Sequence, residues 1–280
     1  MPRFVPIYSA GAQYQHFQTL QRRREKRHRS REFIVEGVRH INLAIEHGWP
    51  INGLIYTRDA PLSDWAEAIL ASGRADAHFE LRGELLADLS AKEHPSELMA
   101  LIGMRNERLN SIPTPRDLLL VVFDRPASPG NLGTLIRSAD ALGAHGIVIT
   151  GHAVDLYDPE TIAATTGSLF ALPAVRLDSH VDLLRWLDKV SQLLPDLQLV
   201  GTDEAGETAI DDHDLTKPTV LLVGNETWGL SATYRSVADT LLRIPIGGAA
   251  SSLNAAVAGS IALYEIGRQR REPRQLTIDN

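Results

Sequence analysis

The sequence contains no cysteine. That excludes disulfides, cysteine-ligated zinc and any mechanism built on a thiolate, including thiolate attack on a pyrimidine ring. No apolar run approaches the roughly 18 residues of a membrane-spanning helix; the longest useful ones are 118–123 and 255–264. The opening residues MPRFVPIYSAGAQYQ lack the apolar segment of a secretory signal, so the expected compartment is the cytoplasm. No G-x-G-x-x-G follows a strand and no G-x-x-x-x-G-K-[ST] occurs, so neither a dinucleotide fingerprint nor a P-loop is present. Ten histidines are scattered, and the one close pair, His145 and His152, flanks a strand candidate without ligand partners. They read as structural, and no metal is expected.

What is present is ordinary globular material. The 280 residues are 44% apolar and 22% charged, enough for one large domain or two modest ones with a real core. Its 21 glycines and 15 prolines follow no period, which excludes a collagen-like or low-complexity chain. The net charge of −7 hides an uneven distribution: residues 22–31, RRREKRHRSR, hold seven Lys/Arg against one Glu. Without that block the chain has 21 basic and 34 acidic residues, a net of −13. An acidic protein with one dense basic segment is built to meet phosphate at one place. Arg22, Arg23, Arg24, Lys26, Arg27, Arg29 and Arg31 are therefore candidate nucleic-acid phosphate contacts, the alternative being a solvated helix end.

Along the first hundred residues, periodicity predicts helices over 13–30, 38–47, 62–70 and 84–89. Strands are predicted over 33–35, 51–56, 77–81 and 98–102, which together make a small α/β unit. Residues 105–117, RNERLNSIPTPRD, are polar and aperiodic and read as a linker, dividing the chain into domains 1–104 and 118–280. The second domain alternates strands (118–123, 146–150, 197–201, 219–223, 241–244) with helices (132–142, 183–193, 252–271). That is the pattern of a mostly parallel sheet covered on both faces.

Ligands of such sheets gather at strand C-terminal ends, and three turns there are rich in small and polar residues. In the first, 128–137, Asn131 is a candidate helix cap, while the stripe Leu132, Leu135, Ile136, Ala139 and Leu142 puts Arg137 on the opposite face. In the second, 223–231, Gly224 permits close backbone approach and Glu226 can accept from a hydroxyl or an amine. The third, 244–254, empties a short strand into small residues and then a helix expected to start at Ser251 or Ser252, where amides and hydroxyls suit an anion or a polar ligand edge. The small residues Ala255, Ala256, Ala258, Gly259 and Ser260 suit packing against another helix or another subunit.

Taken together and in this order, the turns resemble the signature of the SpoU (SPOUT-class, TrmH-type) RNA ribose methyltransferases. The match runs through N-x(5)-R from Asn131 to Arg137, G-x-E from Gly224 to Glu226, and I-P-x(5)-S-S-L-N from Ile244 to Asn254. The basic helix running into Glu32-Phe-Ile-Val-Glu-Gly-Val38 is similar to that family's substrate-binding domain. Phrases such as FDRPASPGN and RSADALGAHG resemble its antibiotic-resistance branch, which acts on ribosomal RNA. The resemblance implies an S-adenosylmethionine-dependent 2'-O-methyltransferase acting on large-subunit (23S) ribosomal RNA, a homodimer, and a deep trefoil knot in an α/β C-terminal domain. It further implies that Asn131, Arg137, Glu226, Ser252 and Asn254 form the catalytic and RNA-positioning set. Gly224, Ile244 and Leu253, with Gly201 and Thr202, would hold the methyl donor. Trp228, where the family more often has small or charged residues, would either stack on a base or fill a dimer contact. Alternatives are a transfer-RNA methyltransferase, a base methyltransferase acting on nitrogen, and an RNA-binding protein that keeps the fold without activity.

Overall fold

The computed structural model describes residues 2–90 and 92–271. The chain forms two compact units: Met1–Asn106 with Asp155–Ala171, and Glu107–Val154 with the described part of Leu172–Asn280. The first unit runs β1 (Arg3–Ile7), α1 (Ala12–Arg22), α2 (Arg24–Ser30), β2 (Glu32–Glu36), α3 (Val38–Glu46), β3 (Ile51–Tyr56), α4 (Asp64–Ala71), β4 (Ala77–Leu81), α5 (Gly83–Leu89) and β5 (Leu98–Gly103). Its sheet has the order β1-β4-β3-β5-β2, with β1, β4 and β3 parallel and β5 antiparallel to both its neighbours. Tyr14, Phe17 and Leu20, one face of α1, are buried with Ile55, Phe79 and Met99, and Phe17 meets Phe79 edge-on at 5.0 Å. Strand β1 escapes the sequence pattern because it is an edge strand, largely exposed and carrying Pro6, a residue sheets tolerate at edges.

The helix expected over 13–30 is two helices. Arg23 is extended (φ −128°, ψ 111°), and the chain restarts on a new axis. The apolar spacing of α1 ends at Leu20, and the turn at Arg23 swings Arg27 inward, where it is 2% exposed. Its guanidinium lies 2.7 Å from Asp155 and 3.1 Å from Asp158, and donates further to the carbonyls of Leu20 and Gln21. Those aspartates belong to a segment expected in the second domain. Residues 155–171, including α7 (Pro159–Thr165) and α8 (Ser168–Ala171), pack with the first unit instead. The Phe33 and Tyr157 rings meet at a tilt with centroids 4.7 Å apart, and the Trp49 indole donates to the Phe170 carbonyl. The division at 105–117 thus contains the crossing point between Asn106 and Glu107, but 118–280 is not one uninterrupted unit. Residues 272–280 of that span lie outside the described residues.

The second unit holds β6 (Leu119–Asp124), α6 (Pro129–Ala141), β7 (Gly146–Thr150), β8 (Ala174–Leu177), α9 (His180–Leu193), β9 (Gln198–Thr202), β10 (Thr208–Ala209), β11 (Thr219–Val223), α10 (Ala232–Val237), β12 (Thr240–Arg243) and α11 (Ala255–Arg271). Its seven strands run β10-β12-β9-β11-β6-β7-β8, and every pairing is parallel. Strands β6 and β11 are buried along their whole length, as continuous apolar runs in a sheet covered on both faces must be. The small residues of α11 serve contact with α6. A Cβ on Gly259 would stand 2.7 Å from Leu135, and Ser260 Oγ donates to Ser138 Oγ at 2.7 Å. Leu132, Leu135 and Ile136 are fully buried there, each contributing about 1.5–3 kcal/mol relative to exposure.

Candidate active site

The chain leaves β6 toward β7 and β8 on one side and returns to β9 and β11 on the other, so β6 and β11 flank the switch point where open parallel sheets bind ligands. Phe123 pairs with Val223, which brings the loops after both strands together. Asp124, buried at the end of β6, accepts from the Arg125 guanidinium and from the Ser231 backbone N–H. Arg125 takes a left-handed φ of 54° and donates to the Gly229 carbonyl, while Asn225 Nδ2 donates back to the Arg125 carbonyl. Asn225 Oδ1 also accepts from the N–H groups of Thr227 and Trp228, closing the turn. A Cβ on Gly224 would collide with the backbone of Gly229 and Leu230. The close approach that glycine permits is therefore within the turn itself. Sequence reasoning missed Asp124, Arg125 and Asn225, although an acid at the end of an apolar parallel strand was a signal.

Glu226 is the centre of these loops. Its carboxylate accepts from the N–H of Ala127 at 2.9 Å, the N–H of Ser128 at 3.0 Å and Asn131 Nδ2 at 3.0 Å. Burial disfavours its charge, but these donors outweigh burial and hold the carboxyl below its ordinary range. Asn131 in turn accepts, through Oδ1, from Asn254 Nδ2 at 3.0 Å. One chain of hydrogen bonds, Asn254 to Asn131 to Glu226, thus ties the three turns together. Asn131 is not the cap of α6: Ser128 is, its Oγ accepting from the Asn131 N–H, with Pro129 at the first helical position. Likewise α11 starts at Ala255, and Asn254 caps it by accepting from the N–H groups of Ala256 and Val257. Ser251 and Ser252 lie in the loop before it, exposed.

Beside these loops a cleft of about 400 Å³ opens at the ends of β9, β11 and β12. Thr202, Gly224, Ile244, Ser252 and Leu253 line it, and so does exposed Trp228. Gly201 does not; a Cβ there would meet Leu230 at 2.6 Å and Leu241 at 2.8 Å, so its role is packing beneath the loops. Arg137 stands apart on the exposed face of α6 and makes no ion pair with the described residues. Tyr234, which donates to Thr150, is pushed up to about 12 by burial and stays neutral near pH 7. His145 accepts the Leu119 N–H on Nδ1, a structural contact, and among the described residues no cluster suits a metal ion.

The basic segment divides under inspection. Arg22, Arg23, Arg24, Arg29 and Arg31 are exposed and Lys26 is partly buried. Arg27 is corrected: fully buried and paired with Asp155 and Asp158, it has no face to offer RNA. Arg31 also donates to the carbonyls of Met104 and Arg105.

The model of the SpoU rRNA Methylase family matches residues 118–264, which contain all three turns. The chain belongs to that family. A second model, the SpoU L30e-like domain, matches residues 11–100. Over 272 residues, 97% of this chain and 94% of the relative, the chain is 47% identical to a Streptomyces viridochromogenes protein named 23S rRNA (uridine(2479)-2'-O)-methyltransferase. The crystal structure of the SpoU methyltransferase AviRb from that organism, in complex with the cofactor AdoMet, has a TM-score of 0.90 at 47% identity, covering 94% of this chain and all of that one. An AdoMet-bound rRNA methyltransferase from Sinorhizobium meliloti has a TM-score of 0.85 at 32% identity, covering 95% of this chain and 98% of its own. The SpoU likeness thus extends over both units and not only over the motif-bearing sheet.

Proposed function

We propose that this SpoU protein transfers a methyl group from S-adenosylmethionine to a ribose 2'-hydroxyl of 23S ribosomal RNA. The observation that carries the reading is its likeness, over 97% of its length, to a protein named for that reaction. The local geometry supports it. The cleft's size falls in the ordinary range for small-molecule sites, and Thr202, Gly224, Ile244 and Leu253 would hold the methyl donor there. Bound there, S-adenosylmethionine supplies an electrophilic methyl carbon.

Transfer needs the ribose oxygen in line with that carbon, so positioning supplies much of the rate. Glu226 acts by fixing the 127–131 loop; with three donors already on its carboxylate, it is a positioning residue and a poor proton acceptor. Arg137 offers an exposed guanidinium that stays charged, suited to a ribose oxygen gaining negative charge or to the adjacent phosphate. Ser252 offers an exposed hydroxyl on the cleft wall, suited to the same sugar–phosphate unit.

The finer expectations are proposed alongside it. The exposed arginines of the first unit contact RNA phosphate, the compartment is the cytoplasm, and the C-terminal chain is threaded as a trefoil knot. A homodimer would cover Val257, Ile261 and Tyr264, which form an exposed stripe on α11 at helical spacing. The consequence in the cell is resistance to a ribosome-targeting antibiotic. The experiment incubates the protein with ribosomal RNA and labelled methyl donor and maps the modified nucleotide. Label on the ribose of 23S RNA is expected, with loss of alkaline cleavage at that linkage. An RNA carrying deoxyribose at the mapped position should bind and accept nothing; label on a base, or on transfer RNA alone, overturns the reading.

A further inference from the structure

The first unit contains an open cavity of about 590 Å³, and none of its lining residues belongs to the three turns. Phe79 and Leu101 give it apolar wall; Arg3, Gln13, His16, Glu32, Asn52 and Asp76 give it polar groups. The Glu32 carboxylate is at the centre. His16 Nε2 lies 3.1 Å from one oxygen and Asn52 Nδ2 donates to the other at 2.6 Å. The bond from His16 holds the carboxyl below its ordinary range, burial opposing and Asn52 assisting. A carboxylate has about four acceptor sites. Two are filled, one on each oxygen.

Two backbone irregularities serve this one contact. Strand β3 bulges between Ile51, which pairs with Ile102, and Gly53, which pairs with Leu101, so Asn52 has no partner across the ladder. Bulges re-aim side chains in this way. On the neighbouring strand, Gly103 pairs with Glu32, and a Cβ there would stand 3.1 Å from Pro50 Cβ and 3.2 Å from the Asn52 amide oxygen, so the glycine makes room for both. The sheet thus gives up regular pairing and a side chain so that an amide can orient a charged carboxylate beside a cavity.

We propose that this cavity receives an unstacked guanine base of the RNA substrate, whose N1–H and N2 amino group donate to the remaining acceptor sites of Glu32. The proposal rests on the RNA-modifying reading above. Guanine alone among the four bases presents two adjacent donors on its pairing edge; adenine, cytosine and uracil place an acceptor beside the donor, against the carboxylate. Unstacked bases in loops are what proteins read on that edge. Arg3 supplies a cation for the nucleotide's phosphate. An arginine from a protein partner would offer the same donor fork, and with Asp76 as well as Glu32 on the wall charge alone does not exclude it, so its binding is one of the outcomes tested.

The test follows the side-chain NMR signals of His16 and Asn52 in the full chain during titration with GMP, IMP and AMP. GMP should shift them saturably, IMP, which lacks the N2 amino group, at least tenfold more weakly, and AMP not at all. Glu32→Gln should abolish the preference for GMP over IMP and lower kcat/KM for ribosomal RNA at least fivefold through KM. No response to GMP, or an equal response to AMP, overturns the proposal. Tighter binding of N-acetylarginine methyl ester than of GMP also overturns it, in favour of a protein partner. Should Glu32→Gln fail to fold, the wild-type titration decides alone. A wild-type chain that methylates ribosomal RNA without nucleotide discrimination sinks the cavity and spares the function; discrimination without methylation does the reverse.

Discussion

The loops at 124–131 and 225–231 differ sharply from the loop at 244–253. In the first pair nearly every polar group is satisfied inside the protein: Asp124, Arg125, Asn225 and Glu226 all bond across from one loop to the other. Between Pro245 and Ser252 the residues are exposed, and no side-chain hydrogen bond to a described residue holds them until Asn254. The contrast separates two jobs. A satisfied carboxylate or amide fixes a shape, whereas an open backbone and free hydroxyls are available to a ligand. By that criterion Glu226 and Asn131 shape the loops, while Ser252 and Leu253 on the cleft wall and Arg137 on the exposed face of α6 are the groups we propose for ligand and substrate.

The strongest way to break this comparison is Arg137→Ala. An exposed guanidinium with no ion pair among the described residues should contribute little to the fold, so stability should stay within about 0.5 kcal/mol. If it meets the developing charge of the reaction, the methylation rate should fall by roughly 10²–10³-fold while donor affinity holds. Single-turnover kinetics with calorimetry of donor binding reads both. Wild-type rate in the variant returns Arg137 to a solvated surface residue.

Glu226 should behave in the opposite manner. Glu226→Ala leaves the N–H groups of Ala127 and Ser128 without their acceptor, at a cost of about 2 kcal/mol in urea unfolding, and the rate falls with the loop's order. The pH dependence has a definite sign. The folded carboxyl titrates below its ordinary value of 4.5, so its stabilisation is complete above that value and is lost as pH falls through the lower, folded one. The wild type should lose that increment on acidification and Glu226→Ala should not. Identical acid profiles would show that the clamp carries no charge-dependent stability.

The same distinction explains what was legible in the sequence. Strands β6, β7 and β11 could be read because residues buried on both faces form continuous apolar runs, and two of the three motifs follow β6 and β11. The caps were displaced because Ser128, Asn131, Ser251, Ser252 and Asn254 are all good cap residues; only Pro129 at the first helical position distinguished among them. The grouping of 155–171 with the first unit was illegible, since the pair that secures it, Arg27 with Asp155, spans 128 residues. No local pattern marks one of seven clustered basic residues as buried. The role of Glu226 was hidden for a related reason: its partners are backbone groups about a hundred residues away.

The basic segment carries the smallest expected effect and the finest test of satisfied against open groups. Arg22, Arg23 and Arg29 are exposed, whereas Arg27, in the same run, is enclosed by two aspartates. Replacing Arg22, Arg23 and Arg29 with Gln should leave stability and donor binding unchanged. If each neutralises one phosphate, the slope of log affinity for RNA against log salt should flatten by about 2–3, at roughly 0.7–0.9 per contact. Arg27→Gln should do the converse. It leaves the buried Asp155 carboxylate with only His28 and the Tyr157 N–H as partners among the described residues and lowers stability by about 3 kcal/mol, the low end for a buried pair that loses one member. The salt slope of whatever folded fraction remains should be that of the wild type. Binding measured at several salt concentrations, beside urea unfolding of both variants, separates the cases. A flattened slope for Arg27→Gln, or an unchanged slope for the triple variant, would mean that exposure fails to tell a phosphate contact from a structural charge.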